Sequence, residues 1–270
     1  IDPPNSEIDG WSIGKMHGWG TNPNEDNFAI NCSAIGCRDG FVQFVNADST
    51  GTVENTILRD CISRGHSEAG VELQIHGSAD GISIKGGEFV GGETCISILA
   101  RGTLKNLEID TTTDGSTGDV EGNIACNPVG TIEGISIAGT HKNAVGSGIR
   151  FEPNTGATIS GLNISDARIT GSGKNAIRFF GTPTEYTGIN RVEDNNLTGN
   201  SYPVGVFFKS ATLRQKIITL DNDGNDDASP EVPANPEATL WYIDDGANTG
   251  SGSMGKRVYD GSAWGDAWTL

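Results

Sequence analysis

Ile132-Glu-Gly-Ile-Ser-Ile137 is one copy of a short pattern that occurs five times along this chain. The other copies are Ala79-Asp-Gly-Ile-Ser-Ile84, Leu104-Lys-Asn-Leu-Glu-Ile109, Ile159-Ser-Gly-Leu-Asn-Ile164 and Tyr186-Thr-Gly-Ile-Asn-Arg191. They align without gaps on a Gly or Asn at positions 81, 106, 134, 161 and 188, at steps of 25, 28, 27 and 27 residues. Asn55 and Asn27 continue this register upstream. A repeat of this length is typical of solenoid proteins.

Each repeat carries two further short strands. One of them is exemplified by Gly148-Ile-Arg-Phe151, in which an apolar residue stands on each side of a middle residue. Because successive side chains of a strand point to opposite faces, the apolar residues are expected inside and the middle residue outside. Another, such as Ala167-Arg-Ile-Thr170, follows the polar turn Ser165-Asp166. The sequence therefore predicts an all-β fold, a right-handed parallel β-helix of about seven to eight coils, with three strands per coil and about 4.8 Å between coils. The residues expected in one interior row are Ile82, Ile135, Leu162 and Ile189.

The chain divides into three parts by composition. Residues 1–220 are predicted to form the β-helix with its capping segments, the last of them at Leu213–Leu220, because the period is lost past Lys209. Residues 221–238 are acidic and proline-rich and predict a linker. Residues 239–270 predict a small aromatic β module with strands at Thr239–Ile243 and Arg257–Trp264.

These patterns resemble two known classes of protein. Over roughly residues 8–210 the repeat is similar to the pectin-lyase-like superfamily, which implies a three-sheet prism and frequent carbohydrate ligands. The aromatic tail resembles a module found near the ends of viral tail fibres and tailspikes, which implies a virion protein and a homotrimer. With the acidic composition, this resemblance points to a haloarchaeal virus or another halophile as the source.

The charge of the chain restricts its partners. Its 18 basic and 35 acidic residues give a formal net charge of −17, which opposes binding to nucleic acid or to an anionic membrane surface. The sequence contains no run of about 18 apolar residues, so it does not predict insertion into a membrane. An acidic, lysine-poor surface over an apolar core favours a halophilic protein, and an ordinary acidic secreted protein is the alternative.

The five cysteines do not form a recognisable framework. Their number is odd and no CxxC pair occurs, which argues against a complete set of disulfides and against a zinc site. We therefore expect small apolar core residues at Cys32, Cys37, Cys61, Cys95 and Cys126.

Arginine residues dominate the predicted ligand face. In the resembled superfamily sugars bind on the sheet that carries the Gly-Ile-Arg-Phe strand, and the outward column there includes Glu72, Arg150 and Arg178, with Phe180 and Glu152 beside it. Two guanidinium groups one coil apart repel each other. They therefore either pair with Glu152 or receive a carboxylate or sulfate from a ligand.

Candidate catalytic residues are histidines and carboxylates. His66 could act as a general base near Glu72, and His141 could do so three coils further on, although both are predicted in polar turns where a structural role is the alternative. Candidate partners for glycoside hydrolysis are Glu72, Glu93 and Glu152. The catalytic motifs of polygalacturonases and pectate lyases are missing, so whether the protein is an enzyme stays open.

An aspartate-rich run marks a candidate calcium site. Asp221, Asp223 and Asp226 alternate with other residues around a glycine, a spacing that can wrap a hard cation, although the terminal glutamate of an EF-hand is missing. The alternative is a solvated acidic linker.

Three functions remain after these arguments. The first is an extracellular or virion-surface adhesin or receptor-binding protein that recognises surface polysaccharides or glycoprotein glycans. The second is a polysaccharide lyase or glycoside hydrolase on the same scaffold, and the third is a structural spacer.

Overall fold

The computed structural model describes residues 27–45, 52–182, 184–202 and 205–223, together with the backbone of 11–13, 241–244, 255–259 and 264–268. Its elements in chain order are β1 (Trp11–Ile13), β2 (Phe28–Ile30), β3 (Ser33–Ile35), β4 (Phe41–Val45), β5 (Thr52–Arg59), β6 (Ile62–His66), β7 (Ala69–Ile75), β8 (Ser78–Gly91), β9 (Thr94–Ala100), β10 (Thr103–Asp114), β11 (Gly122–Cys126), β12 (Thr131–Lys142), β13 (Ile149–Phe151), β14 (Thr158–Thr170), β15 (Ile177–Phe179), β16 (Tyr186–Thr187), β17 (Arg191–Glu193), β18 (Val206–Phe208), α1 (Ala211–Arg214), β19 (Ile218–Leu220), β20 (Trp241–Asp244), β21 (Gly255–Tyr259) and β22 (Trp264–Trp268).

Two parallel sheets run the length of a β-solenoid of about seven turns. One sheet has the order β1-β4-β7-β9-β11-β13-β15-β18, with one strand from each coil. The other has the order β19-β17-β14-β12-β10-β8-β5-β2, with β3, β6 and β16 attached. Its longest strands bend where the register shifts, as between Ile137 and Gly139, and so contribute to two faces of the coil. The predicted all-β solenoid is confirmed.

The Gly and Asn anchors of the repeat form one column of left-handed residues. Every anchor from Asn55 to Gly188 has a φ between +51° and +75°. Other residues pay a steric cost in this region, whereas Gly has no Cβ and Asn tolerates it. This explains why the period is marked by these two residue types. The register predicted for Asn27 is wrong by one residue, because Phe28 pairs with Ile57 and Asn27 therefore lies opposite Thr56.

A second left-handed column marks the bend between the two faces of the long strands. It includes Asp166, at the predicted polar turn, and its members are Asn31, Asp60, Gly86, Asp166, Asp194 and Asp221. Short polar side chains suit this conformation because they hydrogen-bond to the local backbone. Asp221 is therefore the turn residue of the last coil in this column.

The interior row is continuous except at its last predicted member. Ile82, Ile135 and Leu162 are each about 1% exposed, as expected. Ile189 is 63% exposed, so its predicted inward position is wrong. One extra residue lies between Thr187 and Arg191, since their partners in β14 are Ser160 and Asn163. Asn190 takes the inward position instead, and its Oδ1 accepts a hydrogen bond from the Leu162 N–H at 3.1 Å.

The cysteines pack as expected. Cys61, Cys95 and Cys126 are buried, and Cys32 and Cys37 are partly buried against the core. All five thiols are free in the structure.

The solenoid extends past the predicted start of the linker. The Leu197 N–H donates to the Asp223 carbonyl at 2.7 Å, and the Asn222 side-chain oxygen accepts from the Asn195 side chain at 2.8 Å. Before it, α1 places Leu213 in the core. Downstream, β20, β21 and β22 form an antiparallel three-stranded sheet that overlaps both strands predicted there. Within the described part of the chain, no helix is long and apolar enough to cross a membrane.

Candidate functional site

The two arginines of the outward column are interleaved with aromatic rings. Arg150, Arg178 and Phe207 lie in register on β13, β15 and β18. The guanidinium carbon of Arg150 is 4.8 Å from the centre of the Phe180 ring, and that of Arg178 is 4.7 Å from both Phe180 and Phe207. We call these four residues the arginine–phenylalanine ladder. Because each ring face is electron-rich, the ladder offsets the repulsion expected between the stacked cations.

The charge of Arg150 is already matched within the protein. Its guanidinium forms an ion pair with Glu152, and its side chain is 7% exposed. The sequence left two alternatives for Arg150, an ion pair with Glu152 or an anionic group of a ligand, and the structure contains the ion pair. A ligand anion would have to compete with Glu152 for a nearly buried group, which makes Arg150 a scaffold residue in this state.

A polar cleft adjoins the ladder. Its volume is about 400 Å³, and it opens between the loops that follow β13 and β15. Glu152, Phe180 and Lys209 follow their strands at equivalent positions in three successive coils, and Glu152 and Lys209 line the cleft. We call it the loop cleft, and its lining residues are Asn127, Glu152, Pro153, Asn154, Thr155, Gly181, Thr182, Glu185 and Lys209.

Glu185 is a buried carboxylate of this cleft that sequence reasoning missed. It is only 3% exposed, and its carboxylate accepts a hydrogen bond from the Thr182 N–H. Gly181 has a φ of +91°, and a Cβ there would lie 2.4 Å from a Glu185 oxygen and 2.8 Å from the Pro153 ring. The glycine therefore keeps the loop close to Glu185. The available signal was the polar run Gly181–Glu185 directly after the outward Phe180.

The candidate histidines do not lie in solvated turns, and this part of the sequence expectation is wrong. His66 is 4% exposed, with its Nδ1 3.0 Å from the Ser63 hydroxyl. His141 is fully buried, with its Nδ1 2.9 Å from the Thr113 hydroxyl and its Nε2 3.0 Å from the Ala138 carbonyl. Burial lowers the pKa of His66 and lowers that of His141 to about 4. Neither lines the loop cleft, and both act as neutral core groups at pH 7.

The predicted carboxylates are spread over several coils. Glu72 lies three coils before Arg150 in the outward column, with Ser97 and Ala125 between them. Burial raises the pKa of Glu72, while the Gln74 side-chain amide donates to it at 2.6 Å. Of the predicted carboxylates, Glu152 lines the loop cleft, whereas Glu72 and Glu93 do not.

The aspartate run is partly integrated into the solenoid. Asp221 is the turn residue of the last coil, and the backbone of Asp223 is hydrogen-bonded to the coil before it. Asp226 lies outside the described residues. Among the residues that are described, no group of three or more His, Cys, Asp or Glu side chains could hold a metal ion.

Comparison of the chain with protein-family models, curated proteins and solved structures finds no match. The evidence for the parallel β-solenoid is therefore the structure itself. Kinship with the pectin-lyase-like superfamily and a viral or halophilic source remain predictions from the sequence.

Proposed function

We propose that this protein binds saccharides of a cell surface through the loop cleft. The observation that carries the proposal is the composition of the cleft: amides, hydroxyls and carboxylates line about 400 Å³. A sugar offers many hydroxyl groups, which such a surface can bind through hydrogen bonds. Extracellular or virion location and homotrimeric assembly belong to the same proposal, on the strength of the tail module.

The charges of the cleft favour a neutral saccharide over an acidic one. Glu152 is paired with Arg150, while Glu185 and Lys209 carry opposite charges at the cleft wall. No excess of positive charge lines the cavity, so a sugar carboxylate or sulfate gains little there. We therefore expect a neutral saccharide as the ligand, rather than the acidic glycan expected from the arginines of the outward column.

The proposal is tested by glycan binding with variants of exposed cleft residues. Asn154→Ala and Lys209→Ala each remove a polar side chain without opening the core, since both residues are exposed. We expect each to weaken saccharide binding about 3- to 10-fold, the equivalent of one hydrogen bond. Lys105→Ala is the matched control, because Lys105 pairs with Glu133 on the other sheet. Equal losses in all three variants, or a preference for acidic glycans, would contradict the proposal.

A second candidate function is glycoside hydrolysis in the same cleft. Glu152 and Glu185 both line it, and hydrolysis of a glycosidic bond requires two carboxyl groups flanking the bond. Glu185 is nearly buried and Glu152 is half-exposed, so the two carboxyl groups have different environments. Examination of the bound glycans for shortened products separates the two functions. Loss of product formation in both Glu152→Gln and Glu185→Gln supports hydrolysis, whereas glycans that stay intact with the wild type indicate binding without hydrolysis.

A further inference from the structure

Cys32 and Cys61 occupy equivalent positions on consecutive coils. They immediately precede β3 and β6, whose first residues Ser33 and Ile62 are paired, and the Ile62 N–H donates to the Cys32 carbonyl at 2.9 Å. Neighbouring strands of a sheet are about 4.8 Å apart, which lies within the Cα–Cα range of about 4.4–6.8 Å that a disulfide allows.

The two side chains adopt the same local arrangement. The Cys32 Sγ lies 3.4 Å from the Ile30 carbonyl, and the Cys61 Sγ lies 3.5 Å from the Arg59 carbonyl, each two residues back in the chain. The Cys61 Sγ also lies 3.3 Å from the Ala29 carbonyl on the neighbouring coil. The Cys61 thiol therefore leans towards the coil of Cys32. A bond needs Cβ atoms about 3.5–4.5 Å apart, so the two coils have to draw together at this point.

This arrangement is specific to one pair of cysteines. Ser67 donates its N–H to the Cys37 carbonyl, so the coil beside Cys37 offers no thiol. Cys95 lies opposite Asn123, with its Sγ 3.6 Å from the Asn123 side-chain oxygen. Cys126 pairs with Ile98 on one side and Phe151 on the other.

We propose that Cys32 and Cys61 form a disulfide that joins the coils of β3 and β6 when the protein meets a small-molecule disulfide. The inference is independent of the loop cleft, which lies at the other end of the solenoid. It also qualifies the sequence argument against a disulfide framework: the odd number of cysteines excludes a complete set of bridges and leaves room for one.

The chemistry proceeds by two exchanges. Cys32 is the more accessible thiol, and its thiolate attacks one sulfur of the oxidant RSSR to give Cys32–S–S–R and RS⁻. The Cys61 thiolate then attacks the Cys32 sulfur, which forms the protein disulfide and releases the second RS⁻. Two protein thiols lose two protons and two electrons, and one RSSR becomes two RSH. Burial raises the pKa of the Cys61 thiol, so the second exchange should accelerate as the pH rises.

The test is to incubate the native, reduced protein with oxidised glutathione and count thiols after denaturation. We expect a Cys32–Cys61 link in a non-reduced peptide map, with two of the five thiols consumed by it. Cys61→Ser should retain one glutathione on Cys32, visible as an added mass on that peptide, because no second thiol displaces it. Cys32→Ser should form no protein disulfide.

Cys37→Ser is the matched control, since Cys37 makes the same contact with the carbonyl two residues back, at 3.7 Å, but faces no cysteine. It should form the link as the wild type does. Circular dichroism of each variant shows that it is folded before oxidation. Five free thiols after oxidation, a stable glutathione adduct on Cys32 in the wild type, or a link from Cys32 or Cys61 to any other cysteine would overturn the proposal.

Discussion

Arg178→Gln should destabilise the solenoid through the two aromatic rings that hold the guanidinium. The Arg178 guanidinium lies 4.7 Å from the centres of both Phe180 and Phe207. A cation–π contact contributes about 0.5–1 kcal/mol at an exposed site and about 2 kcal/mol when desolvated. Arg178 is partly buried, so loss of both contacts should lower the free energy of unfolding by about 1–3 kcal/mol. The near-zero cost typical of an exposed ion pair does not apply here.

A double-mutant cycle isolates this contribution. Urea unfolding of Arg178→Gln, Phe180→Leu and the double variant should give a coupling free energy of about 0.5–1.5 kcal/mol, because the second change removes a contact that the first has already lost. Arg191→Gln is the control, since the partly exposed Arg191 pairs with Glu193 at 3.4 Å, and its change should cost less than about 0.5 kcal/mol. A coupling free energy of zero would refute the ladder as a stabilising unit.

Three further predictions concern the scaffold. Ile135→Ala should cost about 2–5 kcal/mol in urea unfolding, whereas Ile189→Ala should cost less than about 0.5 kcal/mol, because only the first side chain is buried. The folded-state pKa of His141, about 4, lies below its unfolded value of about 6.5, so stability should be unaffected by His141 above pH 6.5 and should fall by about 3 kcal/mol as the pH drops to 4; a His141→Asn variant that keeps the full loss would contradict this. If the charge of −17 is a halophilic adaptation, the melting temperature should rise as salt enters the molar range, and a flat profile would favour an ordinary secreted protein.

The fold was predictable because it depends on residues with unusual backbone needs. A left-handed φ is tolerated by few residue types, so Gly134 and Asn106 mark the same place in each coil even where the strands between them differ. The alternation of inward and outward residues along each strand then identified the core positions. The error at Ile189 arose from one inserted residue, which a repeat of constant period does not reveal.

The candidate site was predictable only where it lies on strands. The pairing of Arg150 with Arg178 followed from the repeat, because strands in successive coils keep their register. Glu185 was missed, because it lies in a loop whose path depends on Gly181 and Pro153. The burial of His66 and His141 was missed for a different reason. In a turn-rich region, the sequence alone does not show whether a polar side chain points into the core or towards solvent.

The ladder and the loop cleft together suggest why charged residues lie on an outward column of this solenoid. Arg150 forms an ion pair with Glu152, which lines the cleft, and is itself held against the Phe180 ring. A binding surface gains affinity when its groups are ordered before the ligand arrives, since less conformational entropy is lost on binding. Arg150 therefore serves the proposed saccharide site by positioning Glu152. Arg150→Gln should therefore weaken glycan binding while leaving the preference among glycans unchanged, and a changed preference would place Arg150 in direct contact with the sugar.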